Sequence, residues 1–314
     1  MTLEQLRIFV EVAQRQHLTQ AASALHLTPS AVSASIKALE DRYGTALFHR
    51  VGRRIETSEA GRIFLDEARR TLASARAAEA TLADLGELRR GSLTIHASQT
   101  IASYWLPALL VRFQQAYPAI DLRLDVGNTE NVAQAVLQGV ADLGFVEGAI
   151  DEPVLAKEVV GDDRMVVVVA PGHPWARGQP LEAADLLGAQ WILREAGSGT
   201  RSAFESALDA IGIPAGALQV AIGLPSNEAV RSAVMAGPFA TAVSELVVAS
   251  HLQAGLLVQA GFELPERSFA MLRHSERHRS RAATLFEELV RIPPGTNGAA
   301  ARARGQKNNS ARVE

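Results

Sequence analysis

The chain has 314 residues, enough for two or three domains with a substantial core. Hydrophobic residues make up 47% and charged residues 21%, and the formal net charge of −3 excludes a uniformly basic nucleic-acid coat while leaving room for a local basic site. Without cysteine, disulfides, thiolate metal sites and cysteine nucleophiles are excluded.

The start, "MTLEQLRIFVEVAQ", carries acidic residues in an amphipathic pattern, unlike a signal peptide, and no apolar run reaches the roughly 18 residues that cross a membrane. A soluble cytoplasmic protein is expected. Leu3, Leu6, Phe9, Val10 and Ala13 recur at helical spacing. Thr19 is expected to cap a helix running to about Leu25, and His26 and Leu27 then turn the chain. Thr28 can cap a second helix with Pro29 at its first position, where a missing N–H costs nothing. Ala21, Ala22, Ala31 and Ser33 allow close approach, and Val32, Ile36 and Leu39 form the buried stripe. Length and chemistry are those of a helix-turn-helix, although a helical hairpin within another domain would share the pattern. After it, "LFHRVGRRIETSEAG" places Arg50, Arg53 and Arg54 in a short hairpin-like wing, suited to phosphate or simply to solvent.

Ser58 can cap a long alanine-rich helix in which Phe64, Ala68, Thr71, Ala75, Ala78, Leu82 and Leu85 step alternately by four and three. That seam fits a helix paired with a second copy, or one packed on its own domain. From Gly91 onward, strand-like runs alternate with helical patterns, as in "GSLTIHASQT", "AIDLRLDVGNTENVAQAVLQGVADLGFVEG" and "RMVVVVA", which predicts α/β units around largely parallel sheets. Ligands in such folds bind where strands end and helices begin. Three turns carry suitable groups there: Ser98-Gln99-Thr100, Gly197-Ser198-Gly199-Thr200 and Ser226-Asn227. Each sets hydroxyl or amide groups beside the N–H groups of a helix start, which favours an anion. Residues 294–314 are expected to be a disordered basic tail.

Enzymatic readings of the glycine turn lack their central parts. A phosphate loop needs a lysine after the glycine run, and Thr200 is followed by Arg201. No glycine stands two residues before Ser198, so a hydrolase elbow is missing. His274 and His278 are four apart but lack further ligands, and no metal or cofactor is expected. The remaining alternatives are a cytoplasmic anion-binding protein, or a hydrolase or NTPase using the Gly197–Thr200 loop.

The segment from Ala21 to Gly61 resembles the winged helix-turn-helix of the LysR-type transcriptional regulators. It carries the Ala-Val-Ser of the recognition helix at 31–33, Leu39-Glu40 near its end, and the Leu-Phe-x-Arg entering the wing at 47–50. The likeness extends through almost the whole chain. It implies an N-terminal all-α winged helix-turn-helix (1–58), a linker and dimerisation helix (59–90), and an α/β effector domain (91–293). That last domain has two subdomains around a cleft, similar to periplasmic solute-binding proteins. DNA-contacting residues by this resemblance are Thr28, Pro29, Ser30, Ser33, Ser35, Lys37, Arg50, Arg53 and Arg54. Pro29 and Ala34 depart from the glutamine and the long or basic side chain of many members, and Thr57 from a usual leucine.

"LREAGSGTR", "VGNTENV" and "PSNEAV" are most similar to the branch controlling carbon-dioxide fixation and sulfur assimilation. Its members respond to sulfite, sulfate, phosphorylated metabolites or NADPH. The matched pocket residues are Ser98, Thr100, Gly197, Ser198, Gly199, Thr200 and Asn227, with Glu147 and Arg194 as neighbours. "AGPFATAVSE" departs from the usual Gly-hydrophobic-Gly at that point. The implied partners are a pseudo-palindromic double-stranded DNA operator, a small anionic effector, a homodimer or homotetramer, and RNA polymerase; no membrane is implied.

Overall fold

The computed structural model describes residues 1–51, 54–85, 91–148 and 150–291. Three helices open the chain: α1 (Leu3–Arg15), α2 (Leu18–Ala24) and α3 (Pro29–Tyr43). Thr2 and Gln5 close a reciprocal capping box on α1, with bonds of 3.1 and 3.0 Å. The cap of α2 is the His17 ring, whose Nδ1 accepts from the Gln20 amide at 3.5 Å, so the helix starts before the expected Thr19. Thr28 caps α3 through the Ala31 amide at 3.2 Å, with Pro29 at the helix start as expected. His26 between them takes the left-handed conformation at φ 55°, which turns the chain within the four residues from Leu25 to Thr28. Strands β1 (Phe48–Val51) and β2 (Arg54–Thr57) form an antiparallel hairpin. Glu40 ties it to α3 by accepting the Leu47 and Phe48 amides at 2.7 and 3.1 Å.

Helix α4 (Glu59–Leu85) follows, with the Ser58 hydroxyl accepting the Gly61 amide at 2.9 Å. The expected seam divides. Phe64 packs on Phe9 with ring centroids 4.9 Å apart and Ala68 is buried in the same core, because this stretch of α4 lies against α1. Thr71, Ala78 and Leu82 are exposed.

The rest of the chain builds two five-stranded sheets. The first has the order β4-β3-β5-β12-β6, from β3 (Ser92–Ser98), β4 (Asp121–Gly127), β5 (Leu143–Glu147), β6 (Leu155–Asp163) and, much later, β12 (Arg267–His274). Helices α5 (Leu106–Ala116) and α6 (Thr129–Leu137) connect its early strands. The second sheet, ordered β11-β7-β10-β8-β9, comprises β7 (Met165–Val169), β8 (Gln190–Arg194), β9 (Gln219–Leu224), β10 (Ala240–Ser244) and β11 (Val258–Glu263). Helices α7 (Ala183–Gly188), α8 (Gly199–Ala210), α9 (Asn227–Met235) and α10 (Glu245–Gln253) serve it, and α11 (Arg281–Val290) returns to the first sheet. Each sheet has an apolar core on both faces, which is why β5, β7 and β10 are buried along their whole length.

The sheets are less parallel than the alternation of elements predicts. The β3–β4, β3–β5, β8–β9 and β8–β10 pairs are parallel, but β12 runs antiparallel to β5 and β6, and β7 antiparallel to β10 and β11. The cause is the double crossing of the chain, which passes between the sheets at 163–165 and again at 263–267. Asp163 and Arg267 meet at these crossings: Arg267 Nε donates to Asp163 Oδ2 at 2.7 Å, and Ser244 donates to Oδ1 at 2.6 Å. Both charged side chains are buried.

Candidate functional site

The carboxyl ends of β3, β5 and β8 face one another across the two subdomains, and Ser98, Glu147 and Arg194 are their last residues. Helices α6, α8 and α9, which follow β4, β8 and β9, begin at Thr129, Gly199 and Asn227, so helix starts line the same cleft. Ser98, Thr100, Glu147, Arg194, Ser198, Thr200 and Asn227 are each at most 4% exposed. Seven polar residues so deeply buried require partners, and they find them largely in each other.

Ser98 donates its hydroxyl to Glu147 Oε2, and Thr200 Oγ1 lies 3.4 Å from Glu147 Oε1. Arg267 Nη1 donates to the Thr200 hydroxyl at 3.2 Å, which ties the cleft to the buried pair at the crossings. Asn227 accepts from Arg194 Nη1 at 2.7 Å and donates across the cleft to Thr100 Oγ1 at 3.0 Å. Its backbone amide donates to Gln99 Oε1 at 2.7 Å. Glu228 accepts from Gln99 at 2.8 Å and from the Tyr104 hydroxyl at 3.1 Å. Burial and the facing Glu228 raise the Tyr104 phenol above its usual range.

Arg194 also grips Glu195 with Nε and Nη2 at 2.8 and 2.9 Å, and Asn128 reaches Glu195 at 3.4 Å. Burial pushes the Glu195 carboxyl up, but the hydrogen bonds and charge of Arg194, with help from Asn128, hold it below its ordinary value. Arg201 is turned aside, bonded to Glu205 at 2.7 Å and to the Arg194 carbonyl at 3.2 Å.

The glycines of the turn sit against the facing subdomain. A Cβ on Gly199 would overlap the Glu147 carbonyl oxygen and the Thr129 hydroxyl, and one on Gly197, at φ +82°, would meet Glu130 and Asn128. Their missing side chains admit the facing subdomain rather than opening space for a ligand. Helix α8 nevertheless starts without a side-chain cap, whereas α6 and α9 are capped by Asn128 and Ser226. The uncapped start of a 12-residue helix is where an oxyanion gains most from N–H groups and the dipole.

Gln99, from the first of the three turns, takes part in the cleft, and Asn128, Thr129, Glu195, Glu228 and Arg267 join it although the sequence does not single them out as contacts. Asn128-Thr129 was findable as a cap directly after a strand. Arg267 carries no local signal, since it arrives from the second crossing of the chain.

At the other end of the molecule, α3 presents Pro29, Ser30, Ala34 and Lys37 on its exposed face, next to the exposed Thr28. Ser33 is half-buried on the edge of that face. Ser35 lies roughly a third of a turn round from the centre of the face, toward the buried stripe, at 100° per residue. It is therefore not grouped with the others. Arg50 is exposed on the wing strand, and the Arg54 backbone pairs with Val51. Arg53 and the tail expected at 294–314 lie outside the described residues.

The family description "Bacterial regulatory helix-turn-helix protein, lysR family" matches residues 3–62, and "LysR substrate binding domain" matches residues 86–292. The chain belongs to the LysR family of transcriptional regulators. It is a ligand-responsive, DNA-binding regulator and not an enzyme. A LysR relative, the "Uncharacterized HTH-type transcriptional regulator YeiE" of Escherichia coli (strain K12), is 37% identical over 288 residues, covering 91% of this chain and 96% of its own. The "RuBisCO operon transcriptional regulator" of Allochromatium vinosum is 34% identical over 293 residues, covering 92% and 95%. Among solved structures, full-length CbnR complexed with its target DNA shares the LysR fold at a TM-score of 0.66 and 21% identity, covering 93% of this chain and 99% of CbnR. The regulatory domain of Synechocystis PCC6803 CcmR in complex with 2-PG matches at 0.59 and 25% identity, covering 64% of this chain and 96% of its own. Among the described residues, no group of side chains is arranged to hold a metal and no helix is long and apolar enough to cross a membrane.

Proposed function

We propose that the cleft is the effector site and that it takes a small oxyanion, sulfite- or sulfate-like or a phosphorylated metabolite. The uncapped start of α8 beside the Thr200, Ser98 and Thr100 hydroxyls carries this reading. It is supported by the 2-PG complex of the CcmR regulatory domain and by relatives named as RuBisCO regulators.

The four domains are proposed to divide at 58, 90 and 293. The exposed seam of α4 pairs with a second copy, giving a dimer or tetramer that sets two recognition helices on a pseudo-palindromic operator. Ser30, Ser33 and Lys37 face base edges and phosphates, the wing arginines hold phosphate, and RNA polymerase reads the result. Effector binding shifts the balance of two domain arrangements by its differential affinity for them.

A thermal-shift screen with sulfite, sulfate, thiosulfate, phosphoglycolate, phosphoenolpyruvate and NADPH tests the cleft, because a ligand of the native state raises the melting point. A ligand whose shift survives Glu147→Gln and Thr200→Ala together would place the site elsewhere. Failure of the folded protein to bind its own upstream DNA specifically at moderate salt would sink the operator reading.

A further inference from the structure

A cavity of about 400 Å³ lies away from the cleft, where the linker helix α4 meets the first subdomain. Its volume falls in the range of small-molecule sites, about 300–1,000 Å³. Arg76 and Glu79 line it from α4, Gly139 and Asp142 from the turn after α6, Arg273 from the end of β12, and Arg277 from the loop that follows.

The joint is tightly made on one side. Asp66, Arg69, Ala73 and Arg76 lie along one face of α4, and all four touch the turn after α6. Gln138 donates to Asp66 at 3.0 Å and accepts from Arg69 at 3.2 Å, and Arg76 reaches the Gly139 carbonyl at 3.4 Å. Gly139, at φ +70°, has Ala73 where its Cβ would be. Arg277 closes the end of α6 by donating to the Val136 and Leu137 carbonyls at 2.8 and 2.7 Å.

On the cavity side the charges do not balance locally. Burial and the facing Arg76 pull the Arg277 guanidinium below its ordinary range. Asp142 is spent on the Thr94 amide at 2.8 Å, and burial, outweighing that amide and Arg76, pushes its carboxyl up toward the neutral form. Glu287 is engaged by Arg279 and Arg291, at 3.6 and 3.3 Å, and Glu158, near Arg273, is held by Arg291 at 2.6 Å. Four arginines, Arg76 from α4, Arg273 from β12, and Arg277 and Arg279 from the loop after it, thus line one cavity; Arg279 is taken up by Glu287, and among the described lining residues Glu79 is the acid left beside the other three. Guanidinium forks brought together this way match the oxygens of phosphate or carboxylate.

We propose that this joint is a second anion site, in which a small phosphate-type oxyanion bridges Arg76 on the linker helix to Arg273 and Arg277 on the effector domain. Helix α6, nine residues and about 13 Å long by helical rise, separates it from the cleft, with Asn128 before its start and Gly139 beyond its end. Its occupant sets how firmly the linker helix is held to the effector domain, whatever fills the cleft.

Hydrogen exchange on the full-length chain tests this, with inorganic pyrophosphate as the probe. A background carrying Thr100→Ala and Thr200→Ala removes cleft hydroxyls. Pyrophosphate is expected to slow exchange at residues 138–142 and 274–280 there, at least fivefold less readily after Arg76→Gln or Arg273→Gln. Arg277 is left in place because it closes α6. Protection absent from these segments, or equal in both variants and the parent, would overturn the proposal. Protection lost only when the cleft hydroxyls are removed would assign the anion to the cleft instead.

Discussion

Asn227 and Thr100 are joined across the cleft by a 3.0 Å bond from the Asn227 amide to the Thr100 hydroxyl, and both side chains are fully buried. Asn227 belongs to the second subdomain and Thr100 to the first, so the bond closes the cleft on itself. Thr200 makes a comparable link between Glu147 and Arg267. A ligand entering between them replaces bonds that the protein already makes, and its gain is the difference.

Replacing Thr100 and Thr200 together by alanine is therefore expected to weaken effector binding at least tenfold, at about 1 kcal/mol for each hydroxyl lost. Isothermal titration of the effector found in the screen measures this. The effector-induced change in operator binding is expected to vanish in a mobility-shift assay. An unchanged affinity would move the site out of the cleft.

Asp163 and Arg267 hold the two chain crossings together, and neither has water to fall back on. Asp163→Asn leaves a buried guanidinium without its counter-charge, a change that costs about 3–5 kcal/mol in comparable pairs. The effector-domain transition is expected to shift to lower urea, followed by tryptophan fluorescence from Trp175 and Trp191, which pack in that subdomain. A transition within 0.5 kcal/mol of the parent would show the pair to be dispensable.

These contacts mark how far the chain could be read in advance. The recognition helix was legible because capping is local: Thr28, Pro29 and the Val32, Ile36, Leu39 stripe state it within a dozen residues. The cleft hydroxyls were legible because each lies at a junction where a strand gives way to a helix. His17 was missed as a cap since a ring nitrogen is an unusual acceptor there and Thr19 looked the better one. The antiparallel pairings and Arg267 were hidden for another reason. They depend on β12 returning to the first sheet about a hundred residues after β6, which no local pattern announces. The seam of α4 was read correctly as apolar but not divided, because periodicity does not say which neighbour a face will meet.

Gly139 offers a test of coupling through α6, independent of any ligand at the joint. Gly139→Ala places a methyl group against Ala73 and 2.6 Å from Arg277, at a φ of +70° that alanine adopts at a cost of about 1–2 kcal/mol. The linker helix is expected to lose its seat, so that the effector still binds but operator affinity no longer responds to it. Adding Ala73→Gly relieves the collision but not the backbone strain, and partial recovery of the response is expected. Full response in the single variant would show that α6 carries no coupling.

Arg50 stands exposed on β1, in register with Ile55, where a wing places charge beside a phosphate backbone rather than over bases. Arg50→Ala is expected to weaken binding to all DNA sequences by a similar factor. The slope of log affinity against log salt should become shallower by about 1, since roughly one counterion fewer is released per lost phosphate contact. Lys37→Ala, on the face of α3, separates the two roles. If Lys37 holds phosphate it behaves as Arg50 does, and if it reads a base edge it lowers affinity for the operator more than for random DNA. Fluorescence anisotropy on both DNAs across a salt series decides between these. A slope unchanged in Arg50→Ala would remove the wing from the interface.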